Sequence, residues 1–321
     1  MLKKIAAAAA AGLAAVLMTS CGSIIESKDI SPETSVMADK TIPLGDIKTV
    51  DTDLSISKFV IKLGEKNEVH YRVCEEIEPV ISESEGKLTV KRKDNKSYSY
   101  TGTDADNYIE VTLSKKLLDD VNIRMTAGDV CIEGIDFGGT IKNSSGSISV
   151  TGCNSERDID LKTSSGGIGL KDSKLGKVDA DSSSGNISIS DCKSDKDISL
   201  TSSSGEIVIK NCVLGKVNAR SSSGNQYIEG VTSEMLDLDS ISGNTTVELY
   251  ALCDLKIESS SGEIEVKLPC SENECSLEVK TSSGEIIAGG SRYEKKYAKD
   301  NGSGCKVSCK TSSGDITVKY R

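Results

Sequence analysis

Apolar and polar residues alternate in short runs along most of this chain, and from residue 126 onward the runs recur on a nearly fixed period. Taking a glycine as origin, the copies centre on Gly128, Gly146, Gly166, Gly185, Gly205, Gly224, Gly243, Gly262, Gly284 and Gly314, at intervals of 18, 20, 19, 20, 19, 19, 19, 22 and 30 residues. Nine carry a serine pair or near-pair before the glycine, as in Thr201-Ser-Ser-Ser-Gly-Glu-Ile-Val-Ile209, and Thr126-Ala-Gly-Asp-Val-Cys-Ile132 is a degenerate copy. Seven and five residues before the glycine the chain is apolar, as at Ile159 and Leu161 or Leu255 and Ile257. Two and four residues after it the same mostly holds, as at Ile187 and Ile189 or Ile264 and Val266. Period two on both sides of a corner describes two short strands that share one interior. A unit of this length cannot bury its apolar face alone, so it stacks on its neighbours.

The pattern therefore predicts an all-β fold, a single-chain parallel β-solenoid (β-helix) of about ten short rungs with two strands each. With strands about 4.8 Å apart, the rod is about 45 Å long. Stacking aligns the serines that precede the glycines, Ser145 and Ser165 through Ser313. Their hydroxyls are expected to satisfy the corner backbone, and the glycines to supply a positive φ. A flat ligand-binding face of hydroxyls is the rival reading, weakened by the column's place at a corner.

Outside the repeats the pattern changes. Residues 46–125 alternate in irregular runs such as Val50 to Ile56 and Tyr108 to Leu113, which predicts an all-β capping segment over the first rung, either a separate sandwich or early coils. Residues 21–45 mix Ser, Lys, Asp, Glu and Pro without periodicity and predict a flexible tether. Residues 126–321 hold the rungs. Inside them, Gln226 and Thr245 depart from an apolar interior position, and the rungs after Gly262 and Gly284 are lengthened.

The first residues set the compartment. Lys3 and Lys4, the apolar run Ile5 to Met18, and Thr19-Ser20-Cys21-Gly22 have the layout of a bacterial lipoprotein signal peptide over residues 1–20. Cys21 is then the lipidated residue, so the membrane is a partner through an N-terminal lipid anchor, and the body is extracytoplasmic, at the outer surface or in the periplasm. Loss of Lys3 and Lys4 takes the formal charge from −10 to −12. An acidic body repels nucleic acid, and no nucleic-acid partner is expected. With no Trp, two Phe and nine Tyr, the chain lacks the aromatic platforms of a typical sugar-binding cleft.

The eleven cysteines divide by position. Cys153, Cys192 and Cys212 fall seven residues after their glycine and Cys309 takes a core position, so all four read as small buried residues. Cys192 and Cys212 lie one rung apart, near enough to crosslink but with poor parallel-strand geometry. Cys270, Cys275 and Cys305 occupy the lengthened rungs, and any two are candidates for a disulfide. A zinc site would need a fourth ligand at paired spacing, so no metal is expected. His70 is the only histidine, no nucleophile elbow surrounds any serine, the carboxylates sit at outward positions, and no phosphate loop is present. The reading is a non-enzyme with no catalytic residues and no cofactor. The insertion at 289–304 gathers Arg292, Tyr293, Lys295, Lys296, Tyr297 and Lys299 on an acidic molecule, a candidate loop for a cell-surface protein or glycan partner. The plainer reading is a solvated insertion over the last rungs.

The recurring Ser-Ser-Gly-x-Ile-x-Val unit resembles the bacterial putative-adhesin family, a domain of unknown function with β-strand repeats whose members include LiaG-like, envelope-stress-associated proteins. Tyr108-Ile-Glu-Val-Thr-Leu-Ser-Lys-Lys-Leu-Leu-Asp-Asp-Val-Asn-Ile123 is similar to the family's strand, turn and strand before the first rung, with Ser114 where proline is common. The resemblance covers about residues 46–321. It implies a β-solenoid at the surface and carries over no catalytic residues. The expected function is a lipid-anchored cell-envelope module for adhesion or interaction. The alternatives are a self-assembling β-helical scaffold and, behind it, a glycan-acting β-helix enzyme.

Overall fold

The computed structural model describes residues 27–302 and 304–321; Cys21 and the signal-peptide run lie outside the described residues. The described chain is all-β, with strands joined into a long mixed sheet and only two short 3-10 turns, Glu75–Ile77 and Asp104–Asp106. Along the middle of the molecule each strand pairs in parallel with the one a repeat later. One ladder runs Thr49–Ile56, Asp120–Ala127, Gly139–Ser145, Ile159–Thr163, Val178–Ser182, Ile198–Ser202 and Val213–Ser221, then through Gln226–Ser242 to Asp254–Ser261. The other runs Lys58–Leu63, Val130–Glu133, Ile148–Thr151, Ile168–Lys171, Ile187–Ser190 and Ile207–Lys210, then through Gln226–Ser242 to Thr245–Leu249 and Ile264–Leu268. The alternate apolar residues face one core, in which Ile159, Leu161, Ile187, Ile189, Ile198 and Leu200 are all buried. Each fully buried side chain of this size contributes about 1.5–3 kcal/mol.

The corner is built from a position other than the expected one. The serines directly before the glycines, such as Ser165, Ser184 and Ser204, are exposed. The buried polar column lies three residues before the glycine, where the inward alternation continues: Asn143, Thr163, Ser182, Ser202 and Ser221. Ser182 Oγ accepts from Gly185 N–H at 2.8 Å and donates to the Gly166 carbonyl of the preceding rung at 3.0 Å. Thr163 and Ser202 repeat this bridge. Each hydroxyl thus satisfies two buried backbone groups and ties one rung to the next. The glycine requirement also has a different origin. A Cβ on Gly166 would stand 1.8 Å from the Gly146 carbonyl oxygen, and one on Gly185 1.9 Å from that of Gly166. Close approach between corners is the constraint here, more than left-handed backbone.

Both ends depart from simple order. Thr49–Leu63 continues the repeat pattern: its two strands pair in parallel with those of Asp120–Glu133, with Ser57 beside Gly128. Residues 64–119 form the outer cover, which continues the two ladders and is no separate sandwich. Lys87–Lys91 and Tyr108–Leu113 pair in parallel on the first rung, and Val80–Ser84, Glu68–Cys74 and finally Met37–Pro43 close it with antiparallel pairings. Of the tether expected over residues 21–45, the described part from residue 27 onward instead holds two paired strands. Met37–Pro43 is an edge strand with Ala38 buried, and Lys28–Ile30 pairs with Tyr98–Tyr100 and buries Ile30. An edge strand touches one neighbour and keeps its charged residues outward, so its sequence shows little alternation.

At the far end the last two rungs exchange places. Lys306–Ser313 and Ile316–Tyr320 pair directly with Asp254–Ser261 and Ile264–Leu268, and the earlier Ser276–Ser283 and Ile286–Ala288 pair outside them. The glycine column accordingly runs Gly262, Gly314, Gly284. The long connection after Leu268 lets the chain step over one strand spacing and return later to fill it. Ser291–Tyr293 and Lys296–Lys299 then cover the outermost strands in antiparallel pairing.

Candidate functional site

The basic insertion is the end cover just described. Arg292 pairs with Glu285 at 2.9 Å, Lys296 with Glu278 at 3.4 Å and Lys299 with Glu272 at 3.2 Å, while Lys295 Nζ donates to the Ser282 carbonyl at 2.8 Å. Tyr297 donates to Glu272 at 2.7 Å and its ring lies 4.2 Å from that of Tyr293. The four cations and Tyr297 thus reach the molecule's own carboxylates and backbone, and Tyr293 packs on the Tyr297 ring. Cations along an outermost strand also oppose pairing with another sheet edge.

Of the three cysteines in the lengthened rungs, Cys270 and Cys275 meet side chain to side chain across a tight turn. Cys305 Sγ instead donates to the carbonyl of Cys253 at 3.0 Å, a cysteine that no sequence pattern singled out. Burial pushes the Cys275 and Cys253 thiols up to about 12, so both are neutral and unreactive at pH 7. Cys153, Cys192 and Cys212 stack in the interior, with Cys192 N–H directed at Cys212 Sγ over 3.4 Å. His70 faces Asp39 at 3.0 Å and meets the Tyr108 ring edge-on at 5.4 Å, a packing role on the cover strands. Among the described residues, no three His, Cys, Asp or Glu side chains are placed to hold a metal ion.

The repeat pattern is interrupted in the copies of Gly224 and Gly243. Where neighbouring rungs place Ile207 and Ile264 in the core, these two place Gln226 and Thr245, 0% and 1% exposed and adjacent in register. Gln226 Nε2 donates to the Asp239 carbonyl at 2.6 Å and to that of Ala219 at 3.4 Å, whereas Gln226 Oε1 and Thr245 Oγ1 have no partner. The corner bridge fails here too. Ser240 Oγ turns to the carbonyl of its own Gly243 at 3.3 Å, and Ser259 Oγ is buried without a partner. Ile241 occupies a position that Ser222 and Ser260 hold in adjacent rungs and is 60% exposed. Beyond a register shift between Glu229 and Val231, where Gly230 takes φ +67°, the 58%-exposed Tyr250 lies over that glycine. Bulges and strained corners of this kind concentrate next to functional surfaces.

A groove opens in each ladder at this level. One, of about 410 Å³, surrounds Ile241 with Arg220, Asp239, Glu258, Ser222 and Ser260. The other, of about 370 Å³, surrounds Tyr227 with Val208, Thr246, Lys210, Glu229, Glu248 and Lys267. The sequence signalled this region through Gln226 and Thr245 alone. Ile241 was readable as an interruption of the serine column, whereas an outward Tyr227 carries no signal on a strand.

No curated protein matches the chain significantly. Solved structures share its fold at low identity. A protein from Parabacteroides distasonis described as a putative adhesin is 14% identical with a TM-score of 0.54, over 92% of this chain and 100% of its own. A second P. distasonis protein, described as a putative lipid binding protein, is 18% identical with a TM-score of 0.52, over 91% and 99%. A Parabacteroides merdae protein described as a putative adhesin is 13% identical with a TM-score of 0.50, over 92% and 100%. The sequence model described as Toastrack DUF4097 matches residues 60–195 and 153–319, more than half of the chain, and the protein belongs to that family.

Proposed function

We propose that this chain is a non-enzymatic, lipid-anchored β-solenoid of short parallel two-strand rungs that binds a partner in the cell envelope, outside the cytoplasm. The parallel register across successive repeats supports the coil. The lipobox around Cys21 supports the anchor. The observation that carries the binding role is the interrupted pair of rungs, which exposes Ile241 and Tyr250 beside two grooves in an otherwise uniform rod. Antiparallel cover strands at both ends favour a single rod over head-to-tail polymers.

The test is retention on isolated bacterial envelopes. The chain carrying Cys21→Ser, which cannot be lipidated, should be retained, and the same chain with Ile241→Ser and Tyr250→Ser should lose most of that retention while keeping its unfolding midpoint. Equal retention of both would remove the interrupted rungs as the binding surface. For the anchor, labelling with an alkyne fatty acid in a bacterial host should mark the wild-type chain and leave Cys21→Ser unmarked.

A further inference from the structure

The groove around Tyr227 has a lining that points to one ligand chemistry. Val208, Tyr227 and Thr246 stand in register on successive strands, with the tyrosine ring between the other two. Beside them runs a second outward row, Lys210, Glu229, Glu248 and Lys267, also in register. The row neutralises itself: Lys210 lies 3.0 Å from Glu229 and Lys267 lies 3.1 Å from Glu248, which Arg321 also approaches at 3.4 Å. A wall of paired charges has little net attraction for an ion, yet it offers charge-assisted donors and acceptors side by side. Vicinal hydroxyls can use both at once.

The Tyr227 hydroxyl accepts from Asn225 Nδ2 at 3.0 Å, which holds the ring in place and leaves its own proton for a ligand. The ring and Val208 supply an apolar surface for the C–H face of a pyranose. The strand spacing of about 4.8 Å is close to the length of one sugar unit, so a chain lying along the rod meets one member of the charged row per unit. The volume, about 370 Å³, falls within the range of small-ligand sites. A chain with few aromatic residues has no extended platform, but a single ring is enough for a single sugar.

We infer that the Tyr227 groove binds a neutral saccharide chain, one sugar stacked on Tyr227 and its hydroxyls bonded along the row from Lys210 to Lys267. This inference rests on the envelope-binding reading and names its ligand class. The experiment is calorimetric titration of the full chain in detergent with maltotriose, cellotriose and N-acetylated chitotriose. At least one trisaccharide should bind in the millimolar range or tighter. Tyr227→Thr, which places the residue of the next strand there, should weaken binding at least tenfold, as should the pair Lys210→Gln and Glu229→Gln. Unfolding midpoints of both variants should match the wild type. Absence of binding to all three sugars, or equal affinity in Tyr227→Thr, overturns the inference. Envelope retention of the unlipidated Cys21→Ser chain separates the two readings. Retention without saccharide binding sinks the groove alone, and loss of retention sinks the envelope-binding reading itself.

Discussion

Replacing Gly185 with alanine tests the corner geometry directly. The added Cβ would lie 1.9 Å from the Gly166 carbonyl oxygen, 2.3 Å from its carbon and 2.7 Å from Gly167 N, all backbone atoms, whereas Cβ atoms essentially never approach within 3.0 Å. Relief of the contact requires the two corners to part by more than 1 Å, and bonds of 3.0 Å stretched that far are lost. Those at risk are the two that cross between the corners, Ser182 to the Gly166 carbonyl and Ser184 N–H to the Ser164 carbonyl. Overpacking together with the loss of two hydrogen bonds costs about 3 kcal/mol. Gly169→Ala is the internal control: its Cβ would meet nothing within 4 Å, and the loss of unfolded-chain freedom should make it neutral or stabilising by about 0.5 kcal/mol. Urea midpoints of the two variants, measured beside the wild type, provide the assay. A shift for Gly185→Ala no larger than that for Gly169→Ala would refute the close-approach account.

Three other outcomes follow from the same geometry. Thr245→Val removes a buried hydroxyl that has no partner and keeps the side-chain shape, so it should raise stability by about 1 kcal/mol; a lower urea midpoint would contradict the burial assignment. Hydrogen bonds from His70 and then Arg72 hold the Asp39 carboxyl below its ordinary range, and bonds from Lys40 and then Tyr71 do the same for Glu78. Groups with depressed values stabilise the fold above the ordinary carboxylate range and lose that contribution as pH falls through the folded values. Amide exchange at Ala38 to Ile42, corrected for its intrinsic rate, should therefore quicken between about pH 5 and pH 3, and a flat profile would count against the pairing. Replacing the Gly290 to Lys299 hairpin with a short polar linker exposes the Ser276–Ser283 edge, so the chain should self-associate at roughly 100 μM, seen by light scattering; a persistent monomer would argue that the hairpin is dispensable as an edge cover.

Much of the all-β repeat pattern could be read in advance because its interior obeys one rule. Positions such as Ile198, Leu200, Ile207 and Ile209 alternate strictly, and burial follows that alternation. Ser182 and Ser202 obey it as well, but their polar identity drew attention to the exposed serines that follow them. The exchange of the last two rungs escapes periodicity altogether, since parallel strands with the same inward pattern can pair in either order. The 30-residue interval before Gly314 was its only trace. Gln226 and Thr245 marked the interrupted rungs as departures in kind, whereas the groove around Tyr227 depends on which side chains stand on neighbouring strands, and the period does not state that.

The exchanged rungs also impose a sequence of events on assembly. Ser276–Ala288 is synthesised before Lys306–Tyr320, yet its parallel seat is made by those later residues. Its docking must wait for those residues, so the far end stays unsealed until Lys306–Tyr320 has emerged. A chain truncated before Lys306 would lack that seat and present an unclosed edge to proteases and chaperones. The arrangement makes Lys306–Tyr320 the keystone of this end, placed late in the chain but early in the stack.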